Sequence, residues 1–404
     1  MSVNRPDAPG SPNALRQANR RLVLEALTGR ALSQADLARA TGLSPATVSN
    51  LVRELSRDGR LTVTDAVIAG KRVHRVGLAP RDDLAVGVAL TAGSLTAALI
   101  GEDGSVRTDA SAGWNGHTDL ETSAEALATV VEGLFSRVPH GDAGARDRLT
   151  GIGIAVPGWV DIDADLALGG TDGVPRWAGP ATATLGKRLG CPVHVENDGN
   201  LGAVAELVWG AGRGHHHVAY VGLATHVCGG IIAGGRLFRG AYGGAGEIGH
   251  TTVDERGPLC QCGSRGCLEL YAGGAAILDL LQHRDADGNP LTIDGVARLA
   301  RDGDPRCRRA LADAGRTLGV ALGNVTHLVS PALIVLGGPL VDPEGPLIEQ
   351  VRHTMIQSNV PQPYADRLAP PIVAGELGTR ASLLGAAVLG LHGSSILRGA
   401  RLTP

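Results

Sequence analysis

Gly243-Gly244-Ala245-Gly246-Glu247-Ile248-Gly249-His250 and, shortly after it, Cys260-Gln261-Cys262-Gly263-Ser264-Arg265-Gly266-Cys267-Leu268-Glu269 make up the stretch from which the rest of the chain is read. His250, Cys260, Cys262 and Cys267 fall within 18 residues. One imidazole and three thiolates are the donor set of a closed, structural zinc site. Cys260 and Cys262 stand one residue apart, and Gly263 and Gly266 let the loop bend back so that Cys267 reaches the same ion. With four positions filled, none is left for a catalytic water. Two other readings of these residues stay open: a disulfide pair, or buried cysteines beside a chance histidine. Cys191, Cys228 and Cys307 lie outside the cluster and complete no secreted disulfide pattern, and close thiols in a reducing compartment point to metal.

A chain of 404 residues is too long for one core and suggests two or three compact units. No run of about 18 uncharged apolar residues occurs, so no membrane span is expected. Met1 to Pro12 is polar, without an apolar signal core, and the setting reads as cytoplasmic. Charge is uneven. Residues 1–80 carry 12 Lys and Arg against 6 Asp and Glu, and the remainder carries 25 against 34. A basic head on an acidic body suggests that the head meets a polyanion.

Within that head, residues 1–13 read as disordered and residues 14–80 as a folded unit. Leu15, Leu22, Val23, Leu24 and Leu27 recur at near-helical spacing, with Gly29 as the stop. Ser33 caps a second helix, Gln34 to Ala40, and Thr41-Gly42-Leu43 makes a tight turn. Ser44-Pro45 opens a third helix with a cap and a first-turn proline. Val48, Leu51, Val52 and Leu55 form its buried stripe, and Asp58-Gly59 ends it. Two short helices about a glycine turn, then a capped helix, are the sequence form of helix-turn-helix. Ser44, Thr47, Ser49, Asn50 and Arg53 then face outward, where they suit phosphates and base edges of duplex DNA. Leu61 to Val76 alternates as a hairpin, a wing with Lys71 and Arg72 at or near its tip. The same elements in another protein would serve dimerisation or docking.

The body, residues 82–395, alternates strands and helices and predicts α/β layers, followed by a tail over 396–404. Leu84–Leu90, Leu95–Ile100 and Val106–Ala110 read as a meander, and Gly151–Val156, Val193–Val195, Val218–Leu223 and Leu333–Leu336 as further strands. Ala124–Phe135, Ala203–Trp209, Cys307–Val329 and Ala381–Leu391 read as helices. His215-His216-His217 reads as the lead into a strand, and Asp161, Asp163 and Asp165 as a solvated turn or hairpin rather than a cation site.

The Gly-Glu-Ile-Gly-His and Cys-x-Cys-Gly-x-x-Gly-Cys-Leu-Glu pattern resembles the signature of ROK proteins, a family of sugar kinases and sugar-responsive repressors. Ser33-Gln34-Ala35-Asp36-Leu37-Ala38 and Leu43-Ser44-Pro45-Ala46-Thr47-Val48-Ser49 resemble the winged helix that heads ROK repressors, although Gly70-Lys71-Arg72-Val73 stands where many carry Gly-Arg-Pro in the wing. The resemblance covers nearly the whole chain. It implies a winged helix-turn-helix followed by a two-lobed actin-like, ribonuclease-H-like domain with a structural zinc loop and a cleft between the lobes. It also implies a sugar site made by Asn197 and Asp198 in Glu196-Asn197-Asp198-Gly199-Asn200, with Glu247, His250 and Glu269. Carboxylates and an amide suit vicinal hydroxyls, and His250 would serve zinc and sugar together. Trp177 resembles the family's cleft-lining tryptophan.

In a kinase of the family the first phosphate loop reads Asp-x-Gly-x-Thr; here Ala89-Leu90-Thr91-Ala92-Gly93 aligns with it. The second, usually Gly-Thr-Gly-x-Gly-Gly-Gly, reads Ala224-Thr225-His226-Val227-Cys228-Gly229-Gly230. Phosphoryl transfer is mostly positioning and charge neutralisation, so loss of the magnesium carboxylate and of the glycine cradle predicts a dead nucleotide site. The resemblance therefore implies a sugar-responsive DNA-binding regulator, a repressor of carbohydrate genes, with zinc as cofactor and a dimer or tetramer on a two-fold operator. The alternatives are a sugar kinase that keeps its DNA head, and a DNA-binding protein whose body answers to no sugar.

Overall fold

A computed structural model describes residues 12–27, 31–68, 71–79, 83–91, 93–114, 120–138, 144–161, 166–169, 177–359 and 369–396. The chain divides into two compact units, over residues 1–82 and 83–402.

The small unit holds α1 (Pro12–Ala26), β1 (Leu32–Ser33), α2 (Gln34–Thr41), α3 (Pro45–Arg57), β2 (Leu61–Ile68) and β3 (Lys71–Leu78), with sheet order β1-β3-β2. Ser33 caps α2 by accepting from the Asp36 amide, and Ser44 caps α3 by accepting from the Thr47 amide. Gly42 takes the left-handed conformation that ends α2 and turns the chain into α3. On α3, Val48, Leu51, Val52 and Leu55 recur at helical spacing and bury against Val23, Leu27, Leu37, Leu61 and Val76. Each fully buried leucine here contributes about 1.5–3 kcal/mol. β1 is a short strand that the residue pattern did not announce; two residues give no periodicity to read, and only pairing with β3 defines them.

The large unit begins with β4 (Leu84–Leu90), β5 (Ser94–Gly101), β6 (Val106–Gly113), α4 (Leu120–Phe135), β7 (Leu149–Val156), β8 (Gly158–Asp161), β9 (Leu166–Gly169), β10 (Trp177–Ala178), α5 (Gly179–Leu189) and β11 (Val193–Asn197). It continues with α6 (Asp198–Trp209), β12 (Val218–Leu223), β13 (Val227–Ala233), β14 (Arg236–Phe238), α7 (Glu269–Ala272), α8 (Gly274–Leu280), α9 (Ile293–Arg301) and α10 (Pro305–Val329). After these come β15 (Leu333–Gly337), α11 (Pro346–Asn359), β16 (Ile372–Ala374) and a C-terminal helix, Ala381–His392.

Two five-stranded sheets carry this unit, ordered β11-β7-β4-β5-β6 and β14-β13-β12-β15-β16. In both, an antiparallel meander of three strands is extended by two parallel ones, so the two lobes repeat one plan. The C-terminal helix lies on β4 and β7, α6 lies on β12 and β13, and the two helices pack against each other between the sheets. Both are apolar around most of their circumference, as a helix covered on all sides must be. α4 and α5 help cover the outer face of the first lobe, while α10 and α11 pack together over the outer face of the second.

Several boundaries differ from those read in the sequence. α1 begins at Pro12, inside the segment expected to be disordered; proline suits a first helical turn because its missing N–H would have no partner there. Ile396, expected to start the tail, is buried in the core beside Val388 and Leu389. The rest of the expected disordered start and tail, residues 163 and 165, and the side chains of Lys71, Arg72 and Trp177 lie outside the described residues.

Candidate functional site

The polar cluster of the large unit grows from the junction of β11 and α6, at the carboxyl end of parallel strands where open α/β sheets place their ligands. Asn197 is the N-cap of α6: its Oδ1 accepts from the Asn200 amide at 2.9 Å. Its Nδ2 donates to the Gly158 carbonyl at 3.0 Å and faces Glu247 Oε1 at 3.5 Å. Asn197 thus caps α6 and ties three segments together. Asp198 is the first residue of α6, with Oδ1 accepting from the Gly199 amide at 2.8 Å. A side chain at Gly199 would run into the backbone of Gly229, so glycine there lets β13 close on the start of α6.

Glu247 approaches from the glycine-rich turn before Ile248–His250, and Glu269 from the first residue of α7. Burial lifts Asp198 to about 6, against the pull of the Gly199 amide and His226. Burial, with the adjacent charges of Asp198 and Glu269, lifts Glu247 to about 7, opposed by a hydrogen bond from Trp159. Glu269 goes the other way. Burial raises it, but a hydrogen bond from His226 and the charges of His226 and His250 outweigh that and hold it below the usual carboxylate range. Such a set of neighbouring carboxyls suits a ligand dense in hydroxyl groups.

Beneath them lies a buried ion pair. Glu196 Oε2 accepts from Arg239 Nε at 2.7 Å, and Oε1 accepts from the Asn197 amide at 2.9 Å and Asn200 Nδ2 at 3.0 Å. Arg239 Nη2 donates to the Val160 carbonyl at 2.6 Å. Sequence reasoning missed Arg239, as it missed the partnerships of Trp159 and His226. No spacing rule links these residues to Glu196, Glu247 or Glu269; only the fold does.

Of the two segments read as counterparts of phosphate loops, all but residue 92 lie within the described residues. Ala89 is half-buried among apolar side chains at the end of β4. Thr91 Oγ1 accepts from the Ser94 amide at 3.1 Å and lies 2.8 Å from Ser94 Oγ, which places its hydroxyl inside the β4–β5 turn. Ala224 to His226 form the tight turn between β12 and β13, and His226 Nδ1 lies 3.3 Å from Glu269 Oε2. Burial, with Asp198 and Glu247 nearby, pushes the Cys228 thiol well above its usual range.

Ligand atoms of His250, Cys260, Cys262 and Cys267 all lie within 4.8 Å of one another. His250 Nδ1 is 3.7 Å from Cys260 Sγ, and Cys262 Sγ is 3.6 Å from Cys267 Sγ. Donors about 2.0–2.3 Å from a tetrahedral zinc stand roughly 3.5–3.8 Å apart, so this set fits such an ion. All three cysteines are free thiols rather than a disulfide. Gly266, at positive φ, lies so close to the Asp254 carbonyl that a side chain there would collide with it, and this permits the return of the loop to Cys267.

In the small unit, Ser44 is engaged in the α3 cap together with Thr47, whose Oγ1 lies 2.8 Å from Ser44 Oγ. Asn50 and Arg53 are exposed on α3, and Arg53 Nη1 donates to Asn50 Oδ1 at 3.3 Å. Ser49 is half-buried. Thr47, Asn50 and Arg53 border an open groove between α1 and α3 together with Arg16, Asn19 and Arg57. Arg16 and Arg20 both grip Glu54, and Arg20 also reaches Asp58 at 2.7 Å, which fixes α1 across α3.

Comparison with known proteins agrees with both halves. A ROK family model matches residues 85–392 and a MarR family model matches residues 18–67. The chain is 28% identical over 342 residues to the xylose repressor of Bacillus subtilis (strain 168), covering 84% of this chain and 86% of that protein. It is similar in structure to a ROK family transcriptional regulator described as a homologue of the E. coli Mlc protein, with a TM-score of 0.79, 26% identity, and coverage of 93% and 96%. It is also similar to a ROK family glucokinase from Streptomyces griseus solved with glucose and AMPPNP, with a TM-score of 0.65, 28% identity, and coverage of 77% and 100%. Among the described residues no helix is long and apolar enough to cross a membrane. With a MarR-type winged helix at its head and a two-lobed actin-like α/β body matched along most of its length, the chain belongs to the ROK family.

Proposed function

We propose that this protein is a sugar-responsive DNA-binding regulator, a repressor of carbohydrate uptake or catabolism genes, that does not phosphorylate its ligand. The observation that carries the reading is the pairing, in one chain, of a MarR-type winged helix with a ROK body; Ala89, where the resemblance to the kinases expects a magnesium carboxylate, supports it. Asn197, Asp198, Glu247, His250 and Glu269 form the sugar site, with Asn197 acting through the α6 cap and the strap to Gly158. His250, Cys260, Cys262 and Cys267 hold a structural zinc ion, which fixes the loop between Glu247 and Glu269. Ser44, Thr47, Ser49, Asn50, Arg53, Lys71 and Arg72 meet an operator, and two-fold operators call for at least a dimer. Sugar alters operator affinity by as much as its affinities for the two conformational states differ.

The glucokinase likeness favours a second reading, a sugar kinase that retains a DNA head. A coupled ATP assay over a sugar panel separates the two, since steady turnover would overturn the regulator-only reading. The main test is a gel shift on the DNA upstream of the protein's own gene, with and without glucose, xylose and N-acetylglucosamine. Binding that a sugar weakens or strengthens supports the regulator; indifference to DNA at low salt defeats it.

A further inference from the structure

Trp159 sits on β8 next to Gly158, whose carbonyl is held by Asn197. Its indole lies close enough to the Glu247 carboxyl to favour the charged form there. Gly244 backs the six-membered ring: a side-chain carbon placed there would lie 3.5 Å from Cε2 and Cζ2 and 3.6 Å from Cδ2. Even so, the tryptophan is 46% exposed. The ring is therefore backed on one side by Gly244 and lies near Glu247, with much of its surface turned to water. A tryptophan serving only the core would be covered.

Its surroundings extend the surface. The chain has four Trp, four Tyr and two Phe in 404 residues, yet the exposed aromatic side chains among the described residues, Trp159, Phe238 and Tyr242, all belong to this region. The segment from Phe238 to Gly244 lies along β8 through the Arg239 bond to Val160, the close approach of Gly243 to the same carbonyl, and the contact of Gly244 with the indole.

We infer that Trp159 is an aromatic platform at the edge of the carboxyl cluster for a second sugar ring, so that the ligand is a di- or oligosaccharide. This rests on the sugar-site reading above. A pyranose has an apolar C–H face and a polar edge. Asp198, Glu247 and Glu269 take the hydroxyls of the first ring, and an indole leading outward from Glu247 offers the next ring a flat apolar partner.

Calorimetry on the full-length protein tests it, with glucose, xylose and N-acetylglucosamine against maltose, cellobiose, xylobiose and chitobiose. A disaccharide binds about tenfold tighter than its monosaccharide, the scale of one stacked ring. Trp159→Ala removes most of that advantage, whereas Trp159→Phe, which keeps a ring but loses the N–H, retains most of it; any change in monosaccharide affinity is alike in the two variants. Disaccharides that bind no tighter than monosaccharides, or a Trp159→Ala variant that weakens both alike, overturn the platform and leave the sugar site standing. Failure of every sugar to bind overturns the sugar site and the platform together.

Discussion

His226 Nδ1 lies 3.3 Å from Glu269 Oε2, so the turn between β12 and β13 is coupled to the carboxyl cluster. The contact is the main influence holding Glu269 below the usual carboxylate range against the burial that raises it.

His226→Ala should therefore weaken sugar binding without creating a kinase. Loss of one charge-assisted hydrogen bond in a partly wet site costs about 1 kcal/mol, or roughly fivefold in Kd. Calorimetry with the preferred sugar reads the loss, and a coupled assay reads ATP turnover, which should stay at background before and after the change. Magnesium-dependent turnover in the variant would show that the imidazole alone had been blocking a competent site.

Asp198 and Glu247 predict a pH signature in the ligand-free protein. Unfolded, they titrate near 3.8 and 4.5; folded, they keep their protons to about 6 and about 7. Between those limits the native state binds more protons, so their stabilising contribution is complete below about pH 4 and is lost as pH rises through 6 to 7. Other groups titrate in the same window, so the informative quantity is a difference. Glu247→Gln mimics the protonated acid, and its melting temperature should gain on the unaltered protein between pH 5 and pH 8. Curves that run parallel would mean that Glu247 is ionised throughout.

The four-ligand cluster predicts about one zinc ion per chain in protein purified without added metal, falling to about none in Cys267→Ser. Strong chelators should lower the melting temperature and the sugar affinity together, because Glu269 follows Cys267 by two residues and Glu247 precedes His250 by three. Elemental analysis and calorimetry on the same samples check both parts. Metal removal that leaves sugar affinity intact would separate the loop from the site.

Legibility in the sequence followed the range of the interactions. The caps at Ser33 and Ser44, the glycine turn at Gly42 and the stripe from Val48 to Leu55 are contacts within a few residues, and the chain order displays them. The ligand cluster was also visible, because its members sit on one loop. Arg239 against Glu196, Trp159 against Glu247 and His226 against Glu269 join segments 43, 88 and 43 positions apart, brought together by two sheets and the helices between them. Asn197 carries a role that the sequence reading did not assign it: its place at the strand-to-helix junction makes it the cap of α6.

On DNA, Asn50 and Arg53 should behave differently despite their mutual hydrogen bond. An amide makes paired bonds to a base edge but carries no charge, so Asn50→Ala should cost about 1–3 kcal/mol on the operator and little on random duplex. Arg53, exposed near the middle of α3, carries a charge to the same surface, and its loss should weaken binding to both duplexes and reduce the salt slope by about one. Fluorescence anisotropy across a salt series on the two duplexes measures both quantities. If Arg53→Ala spares random DNA and relaxes the operator preference instead, then the arginine reads a base and Asn50, which accepts its hydrogen bond, is the residue that orients it.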